Sequence, residues 1–125
     1  SHVNTVIKNF NVVTPDSEAK ASSLSGGNLQ KFVIGREISS NPKLLIISHP
    51  TWGIDAGAEF AIRESLISLS KKGTSIIVIS QDLDELFEIT HRLSVIFNGN
   101  LSNSFQTKDV NLEKIGLLMG GHKNV

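Results

Sequence analysis

The sequence contains no cysteine, and this excludes disulfide bonds, thiolate nucleophiles and zinc–sulfur sites. It also has no excess of either charge, because 12 Lys and Arg residues balance 12 Asp and Glu residues. A protein that binds a bare nucleic-acid backbone or an anionic membrane surface needs a positive excess, so both classes are disfavoured. The longest apolar runs, residues 44–47 and 76–79, are far shorter than the roughly 18–20 residues of a membrane span.

A chain of 125 residues with 39% hydrophobic residues is long enough for one domain, or part of one, with a modest core. Residues 1–23 are polar and weakly patterned, and we interpret them as an N-terminal arm or linker. Within them, Ser1 and His2 look like the remnant of an expression tag. Residues 24–125 carry the regular patterns and are expected to form the folded part.

Apolar runs alternate with helical patterns along residues 24–125. Apolar spacing predicts helices at about 28–40, 56–71, 83–90 and 109–119. Apolar runs predict strands at 43–48, 74–80 and 93–97, the last followed by a hairpin turn at 98–100. The first two runs do not alternate with polar residues, which is typical of parallel strands buried on both faces. The predicted fold class is therefore α/β, with parallel strands flanked by helices.

The first predicted helix follows Ser25, Gly26 and Gly27. Backbone N–H groups at a helix N-terminus attract anions, and glycines let a phosphate approach the backbone closely. The three residues also fit a serine N-cap followed by a Gly-Gly loop, and taken alone they favour this simpler interpretation. We assign to this helix an apolar face that contains Leu29, Phe32, Val33 and Arg36.

Five blocks of sequence resemble, in their order, the ATPase subunits of ABC transporters: 24–31 (LSGGNLQK), 53–55 (GID), 79–86 (ISQDLDEL), 92–101 (RLSVIFNGNL) and 115–119 (IGLLM). They look like the signature motif, the loop named for its aspartate after the Walker B strand, the switch region, the closing hairpin and the C-terminal end. The sequence is most similar to the C-terminal half of the second ATPase domain in importers of simple sugars and nucleosides. The resemblance implies a partial P-loop NTPase fold that lacks the P-loop strand and ends in a hairpin and a helix.

Three departures from the family pattern concern its catalytic residues. The sequence has no phosphate-binding loop of the form G-x-x-x-x-G-K-[ST]. Ser48 and His49 stand where the Walker B strand should end in Asp-Glu, and Gln81 replaces the switch histidine. Serine is a weak ligand for Mg²⁺, and glutamine brings no positive charge. The resemblance thus implies no ATP hydrolysis in the chain's own site; an active ATPase with His49 as base is the minor alternative.

In this family, each ATP lies between the P-loop of one domain and the signature helix of the other. The resemblance implies that Ser25, Gly26, Gly27 and Asn28 face the γ-phosphate of an ATP held by a partner, and that Asp55 contacts this partner. ATP and Mg²⁺ are expected only in such a partner-completed site. Four scattered histidines and no cysteine predict no metal site in the chain itself.

The expected partners are a P-loop-bearing ATPase domain and ABC membrane subunits, which would place the chain at the cytoplasmic face of the cell membrane; no nucleic acid is expected. Without the P-loop strand, a slot should lie between strands 74–80 and 93–97. These strands are expected to pair directly, to exchange between chains in a homodimer, or to accept residues 3–10 as a further strand. Trp52 is interpreted as either an interface residue or a packing residue. The alternative function is a non-catalytic interaction module or a remnant with no nucleotide role.

Overall fold

The structure is a computed structural model that describes residues 1–123. The chain divides into two compact units, Ser1–Gln81 and Asp82–Val125. The first unit contains three helices and two strands: α1 (His2–Asn9), α2 (Gly26–Ser39), β1 (Leu44–Ser48), α3 (Ala56–Lys71) and β2 (Ser75–Ile79). The second unit contains α4 (Leu83–Ile89), β3 (Arg92–Leu93), β4 (Ile96–Phe97), β5 (Asn100–Leu101), β6 (Phe105–Gln106) and α5 (Leu112–Met119). Short 3₁₀ turns span Ala21–Ser23 and Thr107–Asp109.

The first unit is built on a parallel pair of strands. β1 and β2 pair in a register that places Leu44 opposite Ser75 and Ser48 opposite Ile79. Parallel neighbours need a crossover connection, and α3 provides it. The helix has the predicted bounds and buries a stripe of Ala58, Ile62, Leu66 and Leu69, with Ile62 fully inaccessible. Because the strands are parallel, the loops that follow β1 and β2 lie at the same edge of the sheet.

The N-terminal segment forms a helix, so the expectation that residues 3–10 add a strand to the sheet is wrong. Val6 and Phe10 are buried, and their four-residue spacing places them on one face of a helix. Phe10 packs against Gly35 of α2, where a Cβ atom would lie 2.5 Å from the ring. The glycine thus permits the close approach of the chain at the end of α1.

The apolar face predicted for α2 is also wrong. The buried residues of this helix are Lys31, Ile34, Gly35 and Ile38, which follow the i, i+3, i+4, i+7 spacing of a core-facing stripe. The predicted face, represented by Leu29 and Val33, is more than one third exposed. The prediction followed side-chain size, whereas the packed face contains a glycine and a lysine.

The strands of the first unit were predicted to be buried on both faces, and this prediction is wrong. One face of the β1–β2 pair carries four aliphatic side chains that are half exposed or more: Leu44, Ile46, Ile77 and Ile79. On the opposite face, Leu45 is buried. The two apolar runs therefore form a sheet with aliphatic side chains on both faces. Within residues 1–123, one of these faces is covered and the other is exposed.

The second unit contains two small antiparallel pairs, β3 with β6 and β4 with β5. The predicted hairpin turn is confirmed, since Asn98 and Gly99 both have positive φ, at 46° and 73°. The predicted single strand at 93–97 is interrupted after Leu93, because the Val95 N–H donates to the Ser102 hydroxyl rather than to a strand neighbour. The expected direct pairing of 74–80 with 93–97 is wrong, because β2 pairs only with β1 among the described residues, while β3 pairs with β6 and β4 with β5.

Both helices of the second unit begin at side-chain caps. The Asp82 carboxylate caps α4 by accepting the Glu85 N–H at 3.0 Å. Helix α5 begins three residues later than predicted, because Asn111 caps it by accepting the Lys114 N–H at 2.9 Å. The core position of α5 is Ile115, and the chain leaves the helix through Gly121, whose φ is 87°.

Candidate functional site

The N-terminus of α2 is an exposed turn made of residues 25–28. The Ser25 hydroxyl caps the helix, accepting the Asn28 backbone N–H at 3.3 Å and the Asn28 side-chain amide at 3.0 Å. Ser25 and Gly26 are exposed, and a Cβ atom on Gly26 would meet open space. The first N–H groups of a helix have no partner within it, so this turn offers backbone donors to a ligand.

The Asn28 side chain fastens this turn to the segment that follows α1. Its Oδ1 accepts the Val13 backbone N–H at 2.9 Å, while its Nδ2 donates to Ser25. Both ends of the amide are therefore engaged inside the protein. The geometry gives the Asn28 side chain a positioning contact with Ser25, the residue predicted to face a phosphate.

The charge in the first turn of α2 resembles that of α1 and differs from that of α3 and α5. The first turn of α2 contains no acidic residue, whereas α3 and α5 carry Glu59 and Glu113 at the same place. An acidic side chain in the first turn would satisfy the positive end of the helix dipole. Its absence from α2 leaves that end of the dipole uncompensated by its own first turn.

The end of β1 carries the residues predicted to replace the catalytic carboxylates. Ser48 Oγ and His49 Nδ1 are hydrogen-bonded at 2.9 Å, and the His49 ring lies 5.8 Å from the ring of Trp52. The His49 N–H continues the parallel pairing by donating to the Ile79 carbonyl at 2.8 Å. Gln81 follows β2 and is exposed, so the sheet brings Ser48, His49 and Gln81 to one edge as predicted.

The loop between β1 and α3 ends at Asp55, whose two carboxylate oxygens have different partners. Oδ1 caps α3 by accepting the Ala58 N–H at 2.9 Å. Oδ2 lies 2.8 Å from the ammonium of Lys31 in α2. The hydrogen bond from Lys31 and then the one from the Ala58 N–H lower the pKa of Asp55 below its ordinary value.

Two adjacent residues of α2 hold this loop at its two ends, and sequence reasoning assigned a role to neither. Gln30 Nε2 donates to the carbonyl of His49 at 3.1 Å and to that of Pro50 at 3.4 Å. Lys31 binds the other end through Asp55. The available signal was the spacing of Lys31 with Ile34 and Ile38, which places a lysine in the buried stripe of the helix.

The loop also touches the signature-like turn directly. A Cβ atom on Gly27 would lie 3.2 Å from the carbonyl oxygen of Gly53, which itself has a φ of 73°. Trp52 precedes this glycine and is 78% exposed, which contradicts a packing role and leaves the predicted interface role as the open alternative. The structure thus joins the 25–28 turn to Asp55 as one continuous surface, while their predicted contacts with a nucleotide and a partner stay predictions.

The residues present fit an anion and not a divalent cation. Residues 1–123 contain no group of three or more His, Cys, Asp or Glu side chains that could hold a metal ion. Ser48 and His49 supply a hydroxyl and an imidazole, whereas Mg²⁺ prefers carboxylate and phosphate oxygens. Gly26 is exposed at the start of the helix, and the backbone N–H groups of a helix N-terminus suit a phosphate group. In the described part of the chain, no helix is long and apolar enough to cross a membrane.

Solved structures define the class to which this fold belongs. The chain superposes on an ATP-binding subunit of an ABC transporter with a TM-score of 0.82, covering 95% of this chain and 53% of that one at 18% identity. It also matches the ATP-binding cassette MJ0796, described as a dimer in a post-hydrolysis state bound to ADP and Pi, with a TM-score of 0.73 at 20% identity. That match covers 85% of this chain and 46% of the cassette. The chain therefore has a partial ABC ATPase fold.

Similarity to curated proteins identifies the type of ABC ATP-binding protein that the chain resembles. The chain is 38% identical over 97% of its length to the glucose import ATP-binding protein TsgD13 of Haloferax volcanii. It is 40% identical over 93% to the guanosine import ATP-binding protein NupO of Bacillus subtilis, and 42% identical over 94% to the galactose/methyl galactoside import ATP-binding protein MglA of Escherichia coli. Over almost its whole length, the chain is homologous to ABC-transporter ATP-binding proteins named for sugar or nucleoside import, as the resemblance implied. No protein-family model matches it.

The chain spans about a quarter of the length of these relatives, between 22% and 23% of the three named above.

Proposed function

We propose that this chain completes a nucleotide site in trans: its α2 N-terminus covers the γ-phosphate of an ATP whose phosphates and Mg²⁺ are held by a P-loop-bearing partner. The observation that carries the proposal is the exposed, acid-free turn at residues 25–28, capped by Ser25 and open at Gly26. Such a turn supports anion binding because backbone N–H groups and the helix dipole act together.

The chain's own catalytic edge is non-hydrolytic in this proposal. Ser48 and His49 satisfy each other by a hydrogen bond, so the His49 Nδ1 atom has a local partner. Gln81 is an exposed neutral residue at the same edge. A site without a carboxylate lacks the usual Mg²⁺ ligand and the usual base, and the loss of one stabilising donor alone costs about 10²–10³ in rate.

The partners follow from what the family does. We propose that residues 24–125 act as the C-terminal half of an ATPase domain that packs against a second, P-loop-bearing domain. Membrane subunits of an importer would then hold the assembly at the cytoplasmic face of the membrane, with a sugar or a nucleoside as the transported solute. The names of TsgD13, NupO and MglA support this class of solute. Exchange of strands between two copies of the chain stays a further possibility for its assembly.

The test is ATP-dependent association. The chain is mixed with a P-loop cassette, with and without ATP and Mg²⁺, and the complex is measured by light scattering. We expect association only with nucleotide, and we expect Ser25→Arg to abolish it by placing a bulky side chain in the exposed turn. Ser22→Arg is the matched control, because Ser22 is exposed and lies outside the turn.

Two other outcomes separate the alternatives. Association that is equal with and without nucleotide, and insensitive to Ser25→Arg, would assign the chain to the class of non-catalytic interaction modules. ATP turnover by the chain alone that disappears in His49→Ala would restore a catalytic role for the β1 edge. No association under any condition would refute completion in trans.

A further inference from the structure

We propose that Lys31 is a positioning residue that, together with Gln30, clamps the loop of residues 49–55 to α2, so that the 25–28 turn and Asp55 meet a partner as one rigid surface. The part of this inference that concerns a partner rests on the proposed function. The clamp itself is a local arrangement of contacts within the first unit and can be measured without nucleotide or partner.

The first argument is the division of the contacts along the loop. Gln30 donates to the carbonyls of His49 and Pro50 at the start of the loop, and Lys31 pairs with Asp55 at its end. Consecutive residues of one helix therefore hold both ends of the same loop. Between these ends lie Trp52 and Gly53, the second of which touches Gly27.

The second argument is the burial of Lys31, which is 6% exposed. An ammonium group taken out of water is costly unless it is paired, and replacing its partner leaves that cost uncompensated. Its partners are the Asp55 carboxylate at 2.8 Å and, more distantly, the Asn11 carbonyl at 3.5 Å. Lys31 therefore favours the one loop conformation in which Asp55 reaches it.

The third argument is the use of both oxygens of Asp55. One oxygen caps α3 through the Ala58 N–H, and the other binds Lys31. The carboxylate thus links the beginning of α3 to the second turn of α2. Because the side chain of Asp55 is 63% exposed, the same carboxylate also faces outwards, where the proposed partner lies.

Trp52 provides the direct readout of the clamp. It is the single tryptophan of the chain, lies inside the clamped loop and is exposed. Fluorescence anisotropy decay of Trp52 measures the segmental mobility of this loop in the free chain. We expect Lys31→Met to increase that mobility while far-UV circular dichroism stays unchanged, and we expect Lys31→Arg to restore it.

The controls separate the ion pair from the cap and from charge. Asp55→Asn keeps an oxygen for the Ala58 N–H but removes the negative charge that Lys31 binds, and it should reproduce the effect of Lys31→Met. The double variant should be no more mobile than either single variant, because both remove the same contact. Lys20→Met, at an exposed lysine outside the clamp, should leave the anisotropy decay unchanged.

The second readout is association with an ATP-loaded P-loop cassette. We expect Lys31→Met to lower the association constant by about two- to fivefold, the range for a partly exposed ion pair. Trp52 mobility that is identical in wild type and Lys31→Met overturns the clamp. If the mobility changes but the wild-type chain does not associate, the proposed function fails and the clamp is kept. If the wild type associates and Lys31→Met does so equally well, the positioning role is overturned.

Discussion

Gly26 and Gly27 form a matched pair with which the proposed anion turn can be tested by single methyl groups. Both lie in the first turn of α2, and replacement by alanine removes the backbone entropy cost of glycine at each, worth up to about 1 kcal/mol in a helix interior. The added Cβ atom meets different surroundings: open space at Gly26, and the Gly53 carbonyl oxygen at 3.2 Å at Gly27.

This difference predicts opposite effects on stability. Gly26→Ala should raise the free energy of unfolding by up to about 1 kcal/mol, since nothing opposes the gain in helix propensity. In Gly27→Ala, the Cβ atom presses on a backbone carbonyl of the loop, and overpacking of this kind costs about 1–3 kcal/mol. Gly27→Ala should therefore be neutral or destabilised by up to about 2 kcal/mol. Urea unfolding followed by circular dichroism measures both values.

The proposed function adds a second, independent expectation for Gly26→Ala. Its methyl group points into the open space that a partner's phosphate would occupy, so this variant should be at least as stable as wild type and yet weaker in ATP-dependent association. Gly116→Ala is the control, because a Cβ atom there also meets open space in a helix outside the turn. A Gly26→Ala variant that associates as tightly as wild type would refute the use of this turn as a phosphate contact.

Two further predictions concern the sheet and the carboxylate of the loop. Ile62→Ala in α3 should lower the free energy of unfolding by about 2–5 kcal/mol, because Ile62 is 0% exposed. Ile77→Ala on the open face of the sheet should cost no more than about 1 kcal/mol, because Ile77 is 50% exposed. Equal losses in urea titrations would contradict this difference in burial between the two side chains. Because contacts with Lys31 and Ala58 lower the folded-state pKa of Asp55, its contribution to stability is complete above about pH 4 and is lost as the pH falls through the lowered value. The stability difference between wild type and Asp55→Asn should therefore shrink in urea titrations below about pH 4, and a difference that grows towards acid would reverse the sign of this argument.

The sequence predicted the elements that depend on local patterns. The bounds of α3 follow from a regular apolar stripe, and its C-terminal Lys-Lys-Gly is a strong stop signal, with Gly73 at a φ of 101°. The turn at Asn98 and Gly99 needs positive φ at both residues, which these residue types supply at low cost. Such features are encoded by neighbours in the chain, so no tertiary knowledge was needed.

Features that depend on distant contacts were predicted less well. The buried face of α2 was predicted wrongly because its contacts come from residues distant in the sequence. Phe10 packs on Gly35, and Asp55 pairs with Lys31. A lysine in an apolar stripe is normally taken for a solvent-facing residue, and its partner lies 24 positions away in the sequence. Helix α1 was not predicted for a related reason. It has few apolar residues, and their helical spacing is recognised only when their packing against α2 is known.

The residues of the candidate site were predicted from residue types that suit phosphate binding or catalysis. Residues that act only by holding the loop in place were therefore not predicted. Ser25, Gly26 and Gly27 are recognisable because glycines at a helix start suit an anion, and the turn is exposed as that chemistry requires. Gln30 and Lys31 could each bind a phosphate by residue type, but their side chains contact His49, Pro50 and Asp55 and so act on the shape of the loop. In the proposed function, a partner meets the turn and Asp55 in the relation that the clamp fixes, and the side chains of Ser48 and His49 take no part in these clamp contacts. A chain without carboxylates at Ser48 and His49 can thus keep the proposed surface, because the clamp uses the backbone carbonyl of His49 and the side chains of Gln30, Lys31 and Asp55.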